Sequence, residues 1–193
     1  MDDEEARTRL LDTAEELFYA HGVQAVGMDR IRTASGVPLK RLYRLFPAKE
    51  SLVTAYLERR DRRWTDSLRA AATRPAEPRE RVLAVFDWLG DWFTEPGFRG
   101  CAFLNTYGEL GAAAPDVVRV HKTELRALLG ELAGGDPGHP GHPDRSGPSV
   151  LADQLLILVE GATVVASLSP GREPALRARE TAELLLAHAR PSG

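Results

Sequence analysis

The chain has 193 residues, 43% of them hydrophobic and 27% charged, which is typical of one soluble globular domain or of a small domain fused to a larger one. A net charge of −3 excludes a protein that is polybasic throughout. The single cysteine, Cys101, excludes an intramolecular disulfide framework and a multi-cysteine zinc site.

The pattern of apolar residues in the first part of the chain predicts four helices, over about residues 4–20, 28–34, 38–45 and 48–72. Gly22 can end the first helix, and Gly27 is a permissive N-cap for the second. Pro38 suits the first turn of the third helix.

The segment TRPAEPRE (residues 73–80) is the first strong break in this pattern. Beyond it, the periodicity predicts five more helices, over about residues 79–94, 100–111, 115–132, 149–168 and 173–189. A Gly/Pro-rich loop separates the last two from the rest. We therefore predict an all-α fold of about nine helices, with a three-helix head and a larger helical body.

Charge is distributed unevenly along the chain. Residues 28–49 contain one acid and six cations, namely Arg30, Arg32, Lys40, Arg41, Arg44 and Lys49. The local charge is +5, so the remainder of the chain must be near −8. Such asymmetry predicts one anion-binding face on an otherwise acidic protein.

The head also has the pattern of a helix-turn-helix motif. Gly36 tolerates the positive φ that the turn needs, and Val37 follows it as an apolar plug. Ile31 and Leu42 can then pack the two short helices together. The second short helix projects its other side chains outward, where Arg and Lys can donate hydrogen bonds to guanine edges or phosphates.

Lys49 is expected at the start of the fourth helix, where its charge and the free backbone N–H groups form an anion site. A basic helix face is by itself most often only a solvated surface, but the turn, the buried pattern and the charge asymmetry together favour DNA. The predicted DNA-binding residues are Arg30, Pro38, Leu39, Lys40, Arg41, Tyr43, Arg44 and Lys49.

The segment LLDTAEELFYAHGVQAVGMDRIRTASGVPLKRLYRLFPAKESL resembles the N-terminal DNA-binding domain of the TetR/AcrR family of bacterial transcriptional repressors. The similarity covers about residues 7–57 and includes Gly22, Gly36-Val37, Leu42-Tyr43 and Lys49-Glu50-Ser51-Leu52. Lys40 and Arg41 stand where the family commonly has Gly and Thr, which makes the predicted recognition helix more basic.

The resemblance implies a DNA-binding domain over residues 1–48 and a ligand-binding and dimerisation domain over residues 49–193, with a long connecting helix at about 48–72. It implies a homodimer on palindromic, double-stranded operator DNA and release by a small effector. The two last helices, at about 149–168 and 173–189, are expected to form the dimer interface, because the first of them is apolar nearly all round.

Candidates for effector binding are Trp88, Trp92, Phe103 and Tyr107, with Asn105, Glu109, His121 or Glu160 as polar anchors. Ordinary core packing is the alternative for each aromatic residue, and a hydrogen-bonded core histidine is the alternative for His121. Glu160 lies within an apolar run, where a carboxylate faces a pocket, pairs across an interface or destabilises the fold.

Metal and cofactor chemistry have little support in the sequence. His139, His142 and Asp144 could suggest a metal loop, but the spacing alone is poor evidence in a Gly/Pro-rich segment. We predict no metal and no cofactor.

Two features favour the cytoplasm. Residues 2–5 are all acidic, whereas a signal peptide begins with basic residues. The apolar run that starts at Leu155 is shorter than a membrane span and contains Glu160. We therefore expect a cytoplasmic protein with no membrane partner.

Three classes of function remain open. The first is a homodimeric repressor that a small apolar or aromatic effector releases from DNA. The second is a DNA-binding regulator without a small-molecule ligand, controlled by a partner protein or by its expression level. The third is a helical enzyme, which we do not expect because the sequence has no nucleophile elbow, phosphate loop or paired-carboxylate motif.

Overall fold

The structure is a computed structural model that describes residues 2–134 and 148–188, except the side chains of residues 148 and 149. Within these ranges all regular structure is helical, which confirms the predicted all-α fold. The α-helices are α1 (Asp3–His21), α2 (Met28–Ser35), α3 (Leu39–Leu45), α4 (Lys49–Ala72), α5 (Pro78–Phe93), α6 (Ala102–Leu110), α7 (Val117–Leu132), α8 (Pro148–Leu168) and α9 (Glu173–His188). A short 3-10 helix, Gly111–Ala113, follows α6.

Contacts divide the described residues into two compact units. Unit 1 comprises those of Met1–Arg63 and Cys101–His121, and unit 2 comprises those of Trp64–Gly100 and Lys122–Gly193. These units differ from the two predicted domains, since Cys101–His121 falls in the same unit as the head. The predicted boundary after residue 48 concerns function rather than packing, and it stays a prediction.

The core of unit 1 joins α1, α2 and α3 to the first part of α4. Phe18 of α1 packs against Tyr56 of α4, with 5.7 Å between the ring centroids. Both rings are buried, and burial raises the pKa of the Tyr56 phenol well above its ordinary value. Burying an aromatic or Leu side chain of this kind stabilises a fold by about 1.5–3 kcal/mol.

Four arginine–carboxylate contacts also hold α1 on α4. Glu15 of α1 accepts hydrogen bonds from the guanidinium groups of Arg59, Arg60 and Arg63, at 2.8–3.3 Å. Arg59 donates a further hydrogen bond to Asp12, at 2.8 Å. The first helix of the head is therefore fixed on α4 by charge as well as by apolar packing.

In unit 2, α9 packs on α5 and α8 around a core of Leu, Val, Ala and aromatic side chains. Trp64, Trp88 and Trp92 form an aromatic cluster in this unit, with centroid separations of 5.1–5.8 Å. Two ion pairs join α5 to the last part of unit 2: Asp87 pairs with Arg179 of α9, and Asp91 pairs with Arg172, the residue before α9. Both aspartates are more than half exposed, so each pair adds little stability.

The apolar run that starts at Leu155 lies within α8, which has nearly the bounds that the sequence predicted. Residues Val150–Leu168 have a mean hydropathy of 1.6 and are long enough to cross a membrane by length and composition alone. The run that starts at Leu155 is shorter than this window, and one helix of this kind is weak evidence for a membrane span. Core helices of soluble proteins pass the same test, and Leu155 and Val159 are buried in the core of unit 2.

Candidate nucleic-acid interface

The turn between α2 and α3 has the geometry that the sequence predicted. Gly36 lies in the left-handed region at φ 66°, and its N–H donates to the carbonyl of Arg32 at 3.0 Å. Val37 is buried, and so are Ile31 and Leu42 on the two helices that it separates. This packing fixes the direction in which the side chains of α3 project.

The face of α3 away from the core is exposed and basic. Leu39 and Tyr43 are each 45% exposed, although apolar and aromatic side chains are usually buried. Lys40 and Arg44 are exposed on the same short helix, and Arg41 is half-buried. Exposed cations beside an exposed tyrosine match the side chains that contact phosphates and base edges in DNA-binding helices.

The remaining predicted DNA-binding residues flank α3. Pro38 is exposed at its N-cap, and Arg30 is exposed on α2. Lys49 is the first residue of α4, as predicted, and its Nζ lies 3.4 Å from the carbonyl oxygen of Gln24. All eight predicted residues thus belong to unit 1, but their contacts with DNA stay a prediction.

An acidic residue lies against the cations of α3. The Asp3 carboxylate accepts a hydrogen bond from Arg44, and its Oδ1 lies 3.6 Å from Nε of Arg41. Sequence reasoning missed this pair and used the acidic start of the chain only as evidence against a signal peptide. The two arginines are about 40 residues from Asp3 in sequence, so no local pattern could have indicated the contact.

Glu109 of α6, a predicted polar anchor for an effector, contacts the turn before α2. Its carboxylate accepts hydrogen bonds from the backbone N–H groups of Val23 and Gln24, at 3.0 and 2.7 Å. The Gln24 side-chain amide donates in return to the Glu109 carbonyl. Glu109 therefore fixes the turn that precedes α2.

Gly22 makes this approach sterically feasible. Its φ is 88°, and a Cβ at this position would lie 2.9 Å from Oε1 of Glu109. The sequence analysis assigned Gly22 the role of ending α1, which is correct. The structure adds that the glycine leaves room for a carboxylate from α6.

The candidate effector-binding residues are divided between the two units. Trp88 and Trp92 of unit 2 belong to the aromatic cluster described above, and Nε1 of Trp88 donates to Oγ of Ser67 at 3.1 Å. Phe103 of unit 1 stacks on the buried His121, at 3.8 Å between ring centroids. His121 also contacts the Asp61 carboxylate, so it has the polar partner expected of a core histidine.

Tyr107 and Glu160 differ from these packed residues. Tyr107 is 48% exposed on α6. In unit 2, Oε1 of Glu160 accepts a hydrogen bond from Nζ of Lys122 at 2.6 Å, whereas Oε2 is buried and accepts no hydrogen bond from any described residue. Glu160 therefore forms an ion pair within the protomer, which was not among the predicted alternatives, and its Oε2 accepts no hydrogen bond from the described residues.

The residues of the candidate metal loop, His139, His142 and Asp144, lie outside the described residues. Within residues 2–134 and 148–188, no three His, Cys, Asp or Glu side chains come together as a metal site.

A family model for bacterial regulatory proteins of the TetR family matches residues 10–56, which include α2, the turn and α3. A crystal structure of a TetR-family transcriptional regulator from Streptomyces coelicolor superposes with a TM-score of 0.84 at 31% identity, covering 96% of each chain.

Two curated helix-turn-helix transcriptional regulators are also similar to this chain in sequence. An HTH-type transcriptional regulator of Mycobacterium tuberculosis is 39% identical over 132 residues, which cover 68% of this chain but only 65% of the relative. The HTH-type transcriptional activator FasR of Mycolicibacterium smegmatis is 33% identical over 106 residues, covering 54% of this chain and 48% of FasR.

Fold and site together define a helix-turn-helix DNA-binding transcriptional regulator. The chain belongs to the TetR family. Because members of this family are transcription factors, the prediction that the protein is not an enzyme is confirmed.

Proposed function

We propose that the protein is a cytoplasmic repressor that binds a palindromic operator as a homodimer and is released by a small apolar or aromatic effector. The observation that supports DNA recognition by α3 is its exposed face, on which Lys40, Arg44 and the half-buried Arg41 lie beside an exposed Tyr43. The buried turn holds this face in one orientation, so its side chains can meet the major groove in a fixed register.

The test is binding of an operator, found as an inverted repeat flanking the gene, by variants of the head. Lys40→Ala and Arg41→Ala should weaken operator binding while leaving the thermal midpoint nearly unchanged, because neither side chain is part of the core. A bidentate contact to guanine contributes about 1–3 kcal/mol of discrimination. Lys49→Ala should instead weaken binding to DNA of every sequence to a similar extent. The slope of log affinity against log salt concentration should become shallower by about one unit per half-site.

Arg74→Ala, which removes an exposed cation outside the head, is the matched control and should bind as the unchanged protein does. If the double variant of Lys40 and Arg41 also binds the operator unchanged, α3 is not the recognition helix.

Dimerisation is supported by an apolar face that unit 2 leaves uncovered. Large apolar side chains of α8 and α9 are exposed in the protomer: Ile157 69%, Val164 48%, Val165 53%, Leu168 83%, Leu176 45% and Leu184 63%. Two helices from each protomer would form a four-helix interface, burying more than about 2,000 Å² in total. A dimer also provides two recognition helices for half-sites about 34–36 Å apart, or a multiple of that distance.

Effector binding in the body is supported by the unsatisfied Oε2 of Glu160, because a buried carboxylate oxygen without a donor is costly unless a ligand supplies one. We propose that the effector changes the spacing of the two heads through α4. A tenfold loss of operator affinity requires only about 1.4 kcal/mol of coupling free energy. A ligand found by thermal shift should therefore bind about tenfold more weakly when the operator is present, and equal affinities would exclude this coupling.

The alternative regulator without a small-molecule ligand is favoured by one observation. Trp88, Trp92, Phe103 and His121 already have aromatic or polar partners within the protomer. In that case a thermal-shift screen of cationic, aromatic and lipid-like compounds gives no hit, while operator binding by the head variants changes as described above. The similar protein FasR is named an activator. A promoter–reporter assay therefore tests whether this protein represses or activates transcription.

A further inference from the structure

The carboxylate of Asp3 occupies donors that the proposed function assigns to DNA. Its Oδ1 accepts from Nη2 of Arg44 and lies 3.6 Å from Nε of Arg41. A carboxylate and a phosphate are equivalent acceptors for a guanidinium group, since both offer anionic oxygens to its planar set of N–H donors. The same two arginines therefore have an acceptor inside the protein before DNA arrives.

The position of Asp3 is set by an ordered helix end. Asp2 is the N-cap of α1, and its Oδ1 accepts a hydrogen bond from the backbone N–H of Glu5 at 2.8 Å. About one and two turns further on, Ala6 and Leu10 are fully buried in the core of unit 1. The cap and this packing place the first turn of α1 beside α3, so the contact does not depend on a free chain end.

The ion pair between Asp3 and Arg44 can also open, so that a DNA phosphate can take the place of the carboxylate. Asp3 is 55% exposed and Arg44 is 59% exposed, and ion pairs that face solvent contribute little to stability. Little stability is therefore lost when a phosphate replaces the Asp3 carboxylate at the arginines. The Asp3 charge nevertheless remains close to the DNA. Its repulsion of the phosphates opposes part of the attraction by the two arginines.

We propose that Asp3 is an intramolecular competitor of DNA for Arg41 and Arg44, and that it lowers the affinity of the head for DNA of any sequence. This inference rests on the proposed DNA contacts of the two arginines. It makes the acidic first turn of α1 a determinant of DNA affinity, beside the cations that the sequence indicated.

The experiment compares Asp3→Asn with Glu4→Gln. Both variants remove one negative charge from the first turn of α1, so they change the net charge and the interaction with the helix dipole equally. Glu4 is exposed and has no ion pair or side-chain hydrogen bond within the described residues. The difference between the two variants therefore measures the contact with the arginines.

Binding to a fluorescent mixed-sequence duplex is measured by anisotropy between about 50 and 200 mM salt. Asp3→Asn should bind about fivefold more tightly than the unchanged protein at the lower salt, whereas Glu4→Gln should stay within about twofold. The salt slope of Asp3→Asn should be steeper by about one unit per head, because one more cation is available to neutralise phosphate.

Equal affinities and slopes for Asp3→Asn and Glu4→Gln would overturn the proposal. Weaker binding by Asp3→Asn would also overturn it, because Asp3 would then orient the arginines for DNA rather than compete for them. In a background of Arg41→Ala and Arg44→Ala, the gain from Asp3→Asn should fall to that of Glu4→Gln, because only the general charge effect remains.

The two arginine substitutions, made alone, separate this inference from the proposed function. If they weaken binding while Asp3→Asn has no effect beyond that of Glu4→Gln, only the role of Asp3 is wrong. If they leave binding unchanged, the DNA contacts assigned to α3 are wrong.

Discussion

Replacing Glu15 by Ala should destabilise the packing of α1 on α4, because the Glu15 carboxylate accepts hydrogen bonds from three guanidinium groups of α4. Glu15 is only 14% exposed, and its partners Arg59 and Arg60 are 17% and 16% exposed. Arg63 is 63% exposed, so its contact adds little. The effect must therefore come mainly from the two shielded arginines.

The loss of stability depends on the contacts that Arg59 and Arg60 keep in the Glu15→Ala variant. Removing one partner of a buried ion pair costs about 3–5 kcal/mol when the other charge is left without compensation. Arg59 keeps its hydrogen bond to Asp12 at 2.8 Å, and Arg60 keeps its position over the Tyr19 ring, 4.0 Å from the centroid. We therefore expect the low end of this range, about 3 kcal/mol for Glu15→Ala.

For a chain of this length, about 3 kcal/mol corresponds to a fall of roughly 6–12 °C in the thermal midpoint. The measurement is thermal unfolding by circular dichroism, with urea unfolding as an independent check. Glu16→Ala is the matched control, since Glu16 is the exposed neighbour on the same helix and has no ion pair within the described ranges. A Glu15→Ala midpoint within about 2 °C of the Glu16→Ala midpoint, equivalent to less than about 1 kcal/mol, would refute the reasoning.

Two further substitutions test the turn before α2 and the apolar face of unit 2. Gly22→Ala should lower the free energy of unfolding, measured by urea denaturation, by about 2 kcal/mol. A φ of 88° is strained for an L residue, and the added Cβ would contact the Glu109 carboxylate. Gly27→Ala, where a Cβ meets nothing within 4 Å, should lose less than about 1 kcal/mol, because alanine is only a poorer N-cap of α2. Equal losses in both variants would argue against the strain. Val165→Asp should give a monomer in sedimentation at micromolar concentration. Val120→Asp, at a similarly exposed position on α7, should leave a dimer. A monomeric unchanged protein would contradict the proposed interface.

Local features of the sequence were sufficient to predict the fold and the candidate DNA-binding face. Helix positions follow from apolar periodicity, and the ends at Gly22 and Gly36 follow from a backbone conformation that glycine adopts readily. The exposed cations of α3 follow from the same periodicity, since the spacing that buries Leu42 leaves its neighbours outside. All of these inferences use residues within a few positions of one another.

The tertiary structure alone decided which distant side chains become partners. Asp3 meets Arg44 across 41 residues, Lys122 meets Glu160 across 38, and Glu109 meets Val23 across 86. A charged residue on an amphipathic helix shows in sequence only that it faces away from the core, because many partners satisfy it equally well. Which partner it meets depends on how the helices pack, and that packing places Glu109 at the turn before α2 and Asp3 at the cations proposed to bind DNA.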